Sequence, residues 1–380
     1  MKPLRIVICG LSITSSWGNG HATTYRGLVK ELVANGNEVL FLERDRPWYS
    51  AHRDLPAPPY GRTELYSTLE EFKDRFTGSI READAVIVGS FVPEGIELGD
   101  WVTKNTRGLS VFYDIDTPET LAHIGLGSCE YLTRELVARY QLYLSFTGGP
   151  TLQRLEKEFG SPMARPLFCS VDPLHYYPQK GESSWDLGYL GTYSPDRQPT
   201  LETLLLEPAR NWPEGHFIVA GAQFPGALDW GKNVKHVEHL PPSAHRDFYN
   251  ALRFTLNVTR KNMIRAGHSP SVRLFEAAAC GTPIISDYWS GLELLFKPGL
   301  EILIARHTDD VNRMLRRISE EERLAIGERA RKRILNSHTA AHRACELQQH
   351  FRDALNRKSV NDSARNKSWK LKQADNYVRR

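Results

Sequence analysis

The run His268-Ser269-Pro270-Ser271-Val272-Arg273-Leu274-Phe275-Glu276 holds residue types that suit an anion site followed by a hydroxyl site. Ser269 is a natural N-cap, and Pro270 suits the first position of a helix. The backbone N–H groups of Ser271 and Val272 would then be unbonded, and with the helix dipole they would receive a diphosphate. Arg273, in the first turn, adds charged donors for phosphate oxygens. Glu276, one turn further on, is placed to accept hydrogen bonds from ribose hydroxyls. The same residues also describe a plain capped helix with Glu276 solvated, and helix chemistry alone does not separate the two readings.

Three further loops carry comparable chemistry. Gly191-Thr192-Tyr193-Ser194-Pro195-Asp196-Arg197 is a turn that lets the backbone approach a ligand and offers Arg197 to phosphate, or else has Arg197 capping its own turn. Arg260 and Lys261 are additional phosphate candidates, one of which is expected to be merely solvated. Ser15-Ser16-Trp17-Gly18-Asn19-Gly20-His21 is a glycine-rich loop whose Gly18, Asn19 and Gly20 should face a cleft, but it lacks the spacing of a dinucleotide fingerprint. His21 at its end is a candidate general base for a hydroxyl, against the bland reading of a helix-start residue. Asp114-Ile115-Asp116 has the spacing of a cation-binding carboxylate pair. The expectation is no metal: Asp114 and Asp116 are read as cleft residues, with Asp116 orienting His21 or holding acceptor hydroxyls. Gly148-Gly149-Pro150 is read as a plain turn.

These loops need strand ends to present them. Short apolar runs at Arg5–Cys9, Glu38–Leu42, Ala85–Gly89, Leu109–Asp114, Leu142–Phe146 and Pro166–Cys169 read as buried parallel strands. Helical patterns intervene, including Pro93–Val102, Glu130–Tyr140 and Thr151–Glu158. After the turn-rich Asp172–Ser184, strands are predicted at Asp186–Gly191, Phe217–Gly221, Val234–Glu238, Phe254–Val258, Pro283–Ser286 and Glu301–Ala305. Helices are expected at Ser271–Cys280 and Asp309–Ile318, with another capped by Ser319 and Glu322. The alternation predicts an α/β chain of two Rossmann-like, doubly wound parallel sheets facing across a cleft, with ligands at the carboxyl ends of the strands. The expected division is 1–172, 185–338, a helix at 339–356 crossing back to the first domain, and a basic tail at 357–380.

The segment Arg273-Leu274-Phe275-Glu276-Ala277-Ala278-Ala279-Cys280-Gly281-Thr282-Pro283-Ile284-Ile285-Ser286 resembles the donor signature of retaining GT-B glycosyltransferases of family 4. It is still more similar to the group-1-type transferases related to the CgeB spore-maturation proteins. Leu187–Arg197, Leu256–Arg260 and Phe296–Glu301 extend the resemblance over most of the second domain. It implies a glycosyltransferase that moves a sugar from a nucleotide diphosphate donor to an acceptor hydroxyl. Glu276 takes the ribose role of the family's second Glu, and Arg197 the basic position beside the diphosphate. His268 stands where family 4 has its first Glu, eight positions earlier, as in the CgeB-like branch. His21 is similar in position to the base of inverting UDP-glycosyltransferases. The competing readings are a nucleotide-sugar epimerase of GT-B architecture and a catalytically inert sugar-nucleotide-binding or structural protein.

The bulk properties suit this class. In 380 residues, 41% are hydrophobic, 25% charged and 10% aromatic, enough for two cores. The net charge of +4 is local, because residues 357–380 hold eight basic side chains against Asp362 and Asp375. That tail reads as a solvated end rather than a membrane contact, and no nucleic-acid partner is expected. Five scattered cysteines (Cys9, Cys129, Cys169, Cys280, Cys345) give neither a disulfide frame nor a zinc pattern. That cysteine usage fits a reducing cytoplasm, and the stretch after Met1-Lys2-Pro3 runs into a short strand rather than a signal core, so a soluble or at most peripheral protein is expected, with a nucleotide sugar as substrate and no cofactor.

Overall fold

The computed structural model describes residues 3–18 and 20–358. Two parallel sheets are present. The first contains β1 (Arg5–Gly10), β2 (Glu38–Arg44), β3 (Arg62–Tyr66), β4 (Ala85–Gly89), β5 (Leu109–Asp114), β6 (Leu142–Ser145) and β7 (Ala164–Pro166), in the order β3-β2-β1-β4-β5-β6-β7. The second contains β8 (Trp185–Leu190), β9 (Phe217–Ala220), β10 (Val234–Val237), β11 (Leu252–Asn257), β12 (Ile284–Ser286) and β13 (Leu303–Ile304), in the order β10-β9-β8-β11-β12-β13. In each sheet the order reverses beside the first strand, which makes the loops after β1 and β8 the natural ligand positions.

Central strands are apolar because helices cover both faces: all five residues of β4 and all six of β5 are buried. β3 was not anticipated. It is an edge strand whose Arg62 and Glu64 pair with each other in a run too polar to read as a buried strand. The expected helix at Glu130–Tyr140 is only Arg134–Val137, and the strand expected at Pro166–Cys169 lies two residues earlier.

Residues 340–358 are helical and lie against the first sheet's elements. The face Ala344, Leu347, Phe351 and Ala354 joins Leu28 and Leu32 of the helix His21–Ala34 in one apolar cluster. Gln348 bonds Asn37, and His350 bonds the carbonyl of Pro166. The segment Val171-Asp172 is tied to both parts of the chain, by a bridge from Val171 to Thr339 and by Lys30 on Asp172 at 2.7 Å. Apart from residues 357 and 358, the basic tail lies outside the described residues. No helix among the described residues is long and apolar enough to cross a membrane.

Candidate active site

The loop after β1 is built by two carboxylates, one buried and one exposed. Glu43, at the end of β2 and wholly buried, accepts from the N–H groups of Ile13 and Thr14 and from the hydroxyls of Ser12 and Thr14. Asp54 accepts from Ser16 and from the Arg26 guanidinium, which pulls its carboxyl far below the usual range despite partial burial. These anchors fix a loop that has little regular structure of its own. They aim Gly18 and Gly20 at a cavity of about 260 Å³. Asn19 lies outside the described residues.

The opposite wall comes from the second sheet: Gly191 and Thr192 after β8, Gly221 after β9, and Ser271, Val272, Arg273 and Glu276 after β11. Gly191 and Gly221 are needed for backbone approach. A Cβ on Gly221 would lie 2.0 Å from the Gly191 carbonyl oxygen, and one on Gly191 would lie 2.5 Å from an Arg273 nitrogen.

The helix start differs from the expected one. The helix is Val272–Ala279 with Ser271 as N-cap. Ser269 does not cap it, because its hydroxyl bonds Thr147 of the first sheet's side at 2.9 Å. Leu274 N bonds back to the Ser271 carbonyl, which leaves the Val272 and Arg273 N–H groups without partners among the described residues. The cap is therefore two residues later than the sequence suggested, and the Arg273 N–H joins the expected Ser271 and Val272 N–H groups as an open donor.

Arg273 is buried and largely committed. Its Nε donates to the Leu190 carbonyl at 2.5 Å, its Nη1 to Asn257 Oδ1 at 2.9 Å, and its guanidinium lies over the Tyr189 ring. Only part of the fork remains for a phosphate. Asn257, at the end of β11, also accepts from the Ser271 hydroxyl at 2.8 Å.

Glu276 is buried at the cavity wall, where Tyr176 donates to one oxygen at 2.9 Å and Tyr249 to the other at 3.1 Å. Each oxygen keeps a lone pair for a further donor. His245 faces the same carboxylate: its Nδ1 is 3.7 Å from Glu276 Oε2 and has no hydrogen-bond partner, while its Nε2 lies 3.2 Å from the Leu240 carbonyl. Two neighbouring hydroxyls could donate one to Glu276 and the other to His245 Nδ1, in the tautomer whose Nε2–H donates to Leu240. Tyr176, Tyr249 and His245 escaped the sequence reading because they come from separate elements with no spacing to link them.

The remaining predicted residues do not line the cavity. Arg197 donates to the Thr192 carbonyl, the turn-capping alternative, and its Nε is buried without a partner. Burial, and after it the Arg273 and Arg260 charges, lower its pKa. Arg260 caps the helix Lys261–Ala266, whose first N–H bonds Asp196, and the Lys261 side chain is exposed. Asp116 faces this group: burial raises its carboxyl to about 7, opposed most by Arg260, with Asp114 and Glu119 reinforcing the rise.

Asp114 is not a cleft residue. It is fully buried, held by Tyr143, by Thr120 at 2.7 Å and by the Asp116 N–H at 3.2 Å, with its carboxyl raised by burial to about 6. It is therefore not placed to share a cation with Asp116, and among the described residues no group of three or more His, Cys, Asp or Glu could hold a metal.

His21 opens its helix beside Gly20, edge-on to Phe91 at 5.5 Å. Phe91 adopts a left-handed φ of 61°, a strained conformation that sets its ring there. Burial lowers the His21 pKa to about 4, and among the described residues its Nδ1 has no partner and no hydrogen bond joins it to Asp116. His268 is packed between Gly149 and Gly291, where a Cβ would meet its ring at 2.4 and 2.3 Å, and its carbonyl accepts from Gly148 N. It joins the two halves and does not face the cavity. A larger groove of about 890 Å³ runs between the helices Thr117–Leu126, Pro150–Lys157 and Lys261–Ala266, but neither the helix start at Val272 nor Glu276 reaches it.

Solved structures share this architecture over nearly the whole chain. Sucrose-phosphate synthase from Thermosynechococcus elongatus superposes with a TM-score of 0.69 at 14% identity, covering 93% of this chain and 99% of that one. Anabaena Alr3699/HepE in complex with UDP and glucose gives 0.65 at 12%, covering 92% and 100%. An alpha-glucosyltransferase in complex with UDP-glucose and DNA containing an abasic site gives 0.67 at 13%, covering 92% and 99%. The fold is GT-B. Residues 197–349, which include most of the second GT-B sheet and the Val272 helix, match the family model described as glycosyl transferase-like. No curated protein matches the chain.

Proposed function

We propose that this chain is a glycosyltransferase that moves a sugar from a nucleoside diphosphate donor to an acceptor hydroxyl. One observation carries the reading: a single cavity holds both the unpartnered Val272 and Arg273 N–H groups and the Glu276 carboxylate, one set suited to a diphosphate and the other to a ribose. In this reading the bond between the anomeric carbon and the diphosphate oxygen breaks, and the diphosphate leaves with the electron pair. Its charge is met by the helix start, the free part of the Arg273 fork, and the field of Arg197 and Arg260.

The acceptor oxygen attacks the anomeric carbon and gives up its proton. His21, neutral at pH 7, is assigned as the group receiving it. The bound diphosphate's negative charge would raise the His21 pKa from its low resting value, favouring the transfer. Asp116 is assigned to holding the acceptor beside the arginines. Within the class we place the chain nearest the CgeB-like branch, on His268 at the first-Glu position, and in the cytoplasm, in keeping with five free cysteines.

The test is release of nucleoside diphosphate from a panel of nucleotide sugars, with the product's anomeric configuration read by NMR. Turnover that inverts, and that falls on the order of 10²–10⁴-fold in His21→Ala without loss of donor affinity, supports the assignment. Retained configuration removes His21 as the base. Stable epimer formation without transfer would move the chain to the epimerase reading.

A further inference from the structure

Four aromatic rings form a row from solvent to the donor cavity. Trp48 lies 6.0 Å from His52, His52 stacks on Trp17 at 4.3 Å and 12°, and Trp17 meets His239 at 4.3 Å. His239 lines the cavity, and Gly18, also on its wall, is near the Trp48 indole: a Cβ added there would lie 4.0 Å from Trp48 Nε1. Trp48 is 61% exposed. An indole offers a large apolar face with a polar N–H edge, and its place at the mouth of the proposed donor cavity suits it to receive a partner there.

The backbone that carries the ring is anchored. Pro47 starts the short helix Pro47–Ser50, and His52 Nδ1 lies 3.0 Å from the Trp48 carbonyl. The segment is pinned to the glycine loop by Ser15 Oγ on the His52 carbonyl at 2.8 Å and Leu55 N on the Thr14 carbonyl at 3.0 Å. An exposed aromatic face on an anchored backbone, bordered by polar groups, is complementary to a pyranose, which presents C–H bonds on its face and hydroxyls on its rim. Arg46, exposed and making no ion pair among the described residues, directly precedes Pro47 and can serve that rim.

We propose that the acceptor is a carbohydrate, with a sugar ring stacked on Trp48 so that a hydroxyl of the same or the next residue reaches the cavity past Gly18. This rests on the donor reading of the cavity, and the test separates the two. Wild type, Trp48→Ala and Trp48→Tyr are titrated with UDP, GDP, ADP and dTDP by calorimetry. Each is then applied to a glycan array in the presence of the nucleotide that binds.

The expected result is nucleotide affinity within twofold across the three proteins. Glycan signal should be present in wild type, reduced at least tenfold in Trp48→Ala and largely restored in Trp48→Tyr. Glycan signal surviving in folded Trp48→Ala, or no glycan bound by nucleotide-loaded wild type, overturns the proposal. Loss of nucleotide affinity in Trp48→Ala also overturns it, because the ring then belongs to the donor base. Glycan binding through Trp48 without any nucleotide binding would leave the platform standing and remove the donor reading instead.

Discussion

Arg273 Nη1 lies 2.9 Å from Asn257 Oδ1, and the same oxygen accepts the Ser271 hydroxyl at 2.8 Å. One amide at the end of β11 therefore fixes both the cap of the Val272 helix and the guanidinium beside it. Its own Nδ2 is held by Ser286 and Thr259, and Thr259 is held in turn by Asp287, so the amide cannot rotate freely.

Asn257→Ala should release both groups. We expect a stability loss of about 1–3 kcal/mol, since a buried guanidinium and hydroxyl lose their acceptor. Nucleotide affinity should fall with it, as the helix start loses its fixed geometry. Urea unfolding and nucleotide titration read the two effects separately. An Asn257→Ala protein with wild-type affinity would remove the amide from the positioning role.

The pH dependence of stability should show two opposing contributions. The Asp116 carboxyl sits at about 7, above its unfolded value of about 3.9. Between those limits the folded state binds more protons than the unfolded, so this group's contribution falls as pH rises. His21, at about 4, lies below its unfolded value of about 6.5, so the unfolded state binds more protons there and its contribution rises with pH, being lost on acidification through about 4. Relative to wild type, Asp116→Asn should make stability climb more steeply from about pH 4.5 to 6.5, and His21→Gln should make it climb less. Denaturant titrations across that range check both signs.

Chelation should leave transfer almost intact. Asp114 is buried under Tyr143 and Thr120 and cannot turn toward a cation shared with Asp116, while basic groups and a helix start are already available to the leaving diphosphate. Activity lost in EDTA and restored by Mn²⁺ or Mg²⁺ would require the Asp114–Asp116 segment to rearrange and act as ligands.

Much of the fold was legible because buried parallel strands are near-continuous apolar runs. Ile6–Cys9 and Ala85–Gly89 announce themselves, whereas β3 is a polar edge that does not. In the site, Gly18, Gly20, Gly191, Thr192, Ser271, Arg273 and Glu276 do converge on one cavity. The register of the helix start was misread because Ser269-Pro270 has the form of a cap and first turn. Only the three-dimensional contact with Thr147 diverts the Ser269 hydroxyl. Glu43, Asn257, Tyr176 and Tyr249 were missed for a related reason: each acts through partners tens of residues away, and no local pattern encodes such a contact. Asp114 read as a cleft residue because it ends a strand beside Asp116, yet this last residue of a central strand is fully buried.

The account stands or falls on Glu276 as the ribose acceptor in a nucleotide cavity. Glu276→Gln is the informative change, because Glu276→Ala would also strand the buried Tyr176 and Tyr249 hydroxyls and confuse stability with affinity. Calorimetric titration of wild type and Glu276→Gln with UDP, GDP, ADP and dTDP decides it. The account predicts that at least one nucleotide binds wild type and that the variant, still folded, binds it about tenfold more weakly, a loss of about 1.4 kcal/mol. No binding by any of the four, or equal binding by the variant, would contradict it.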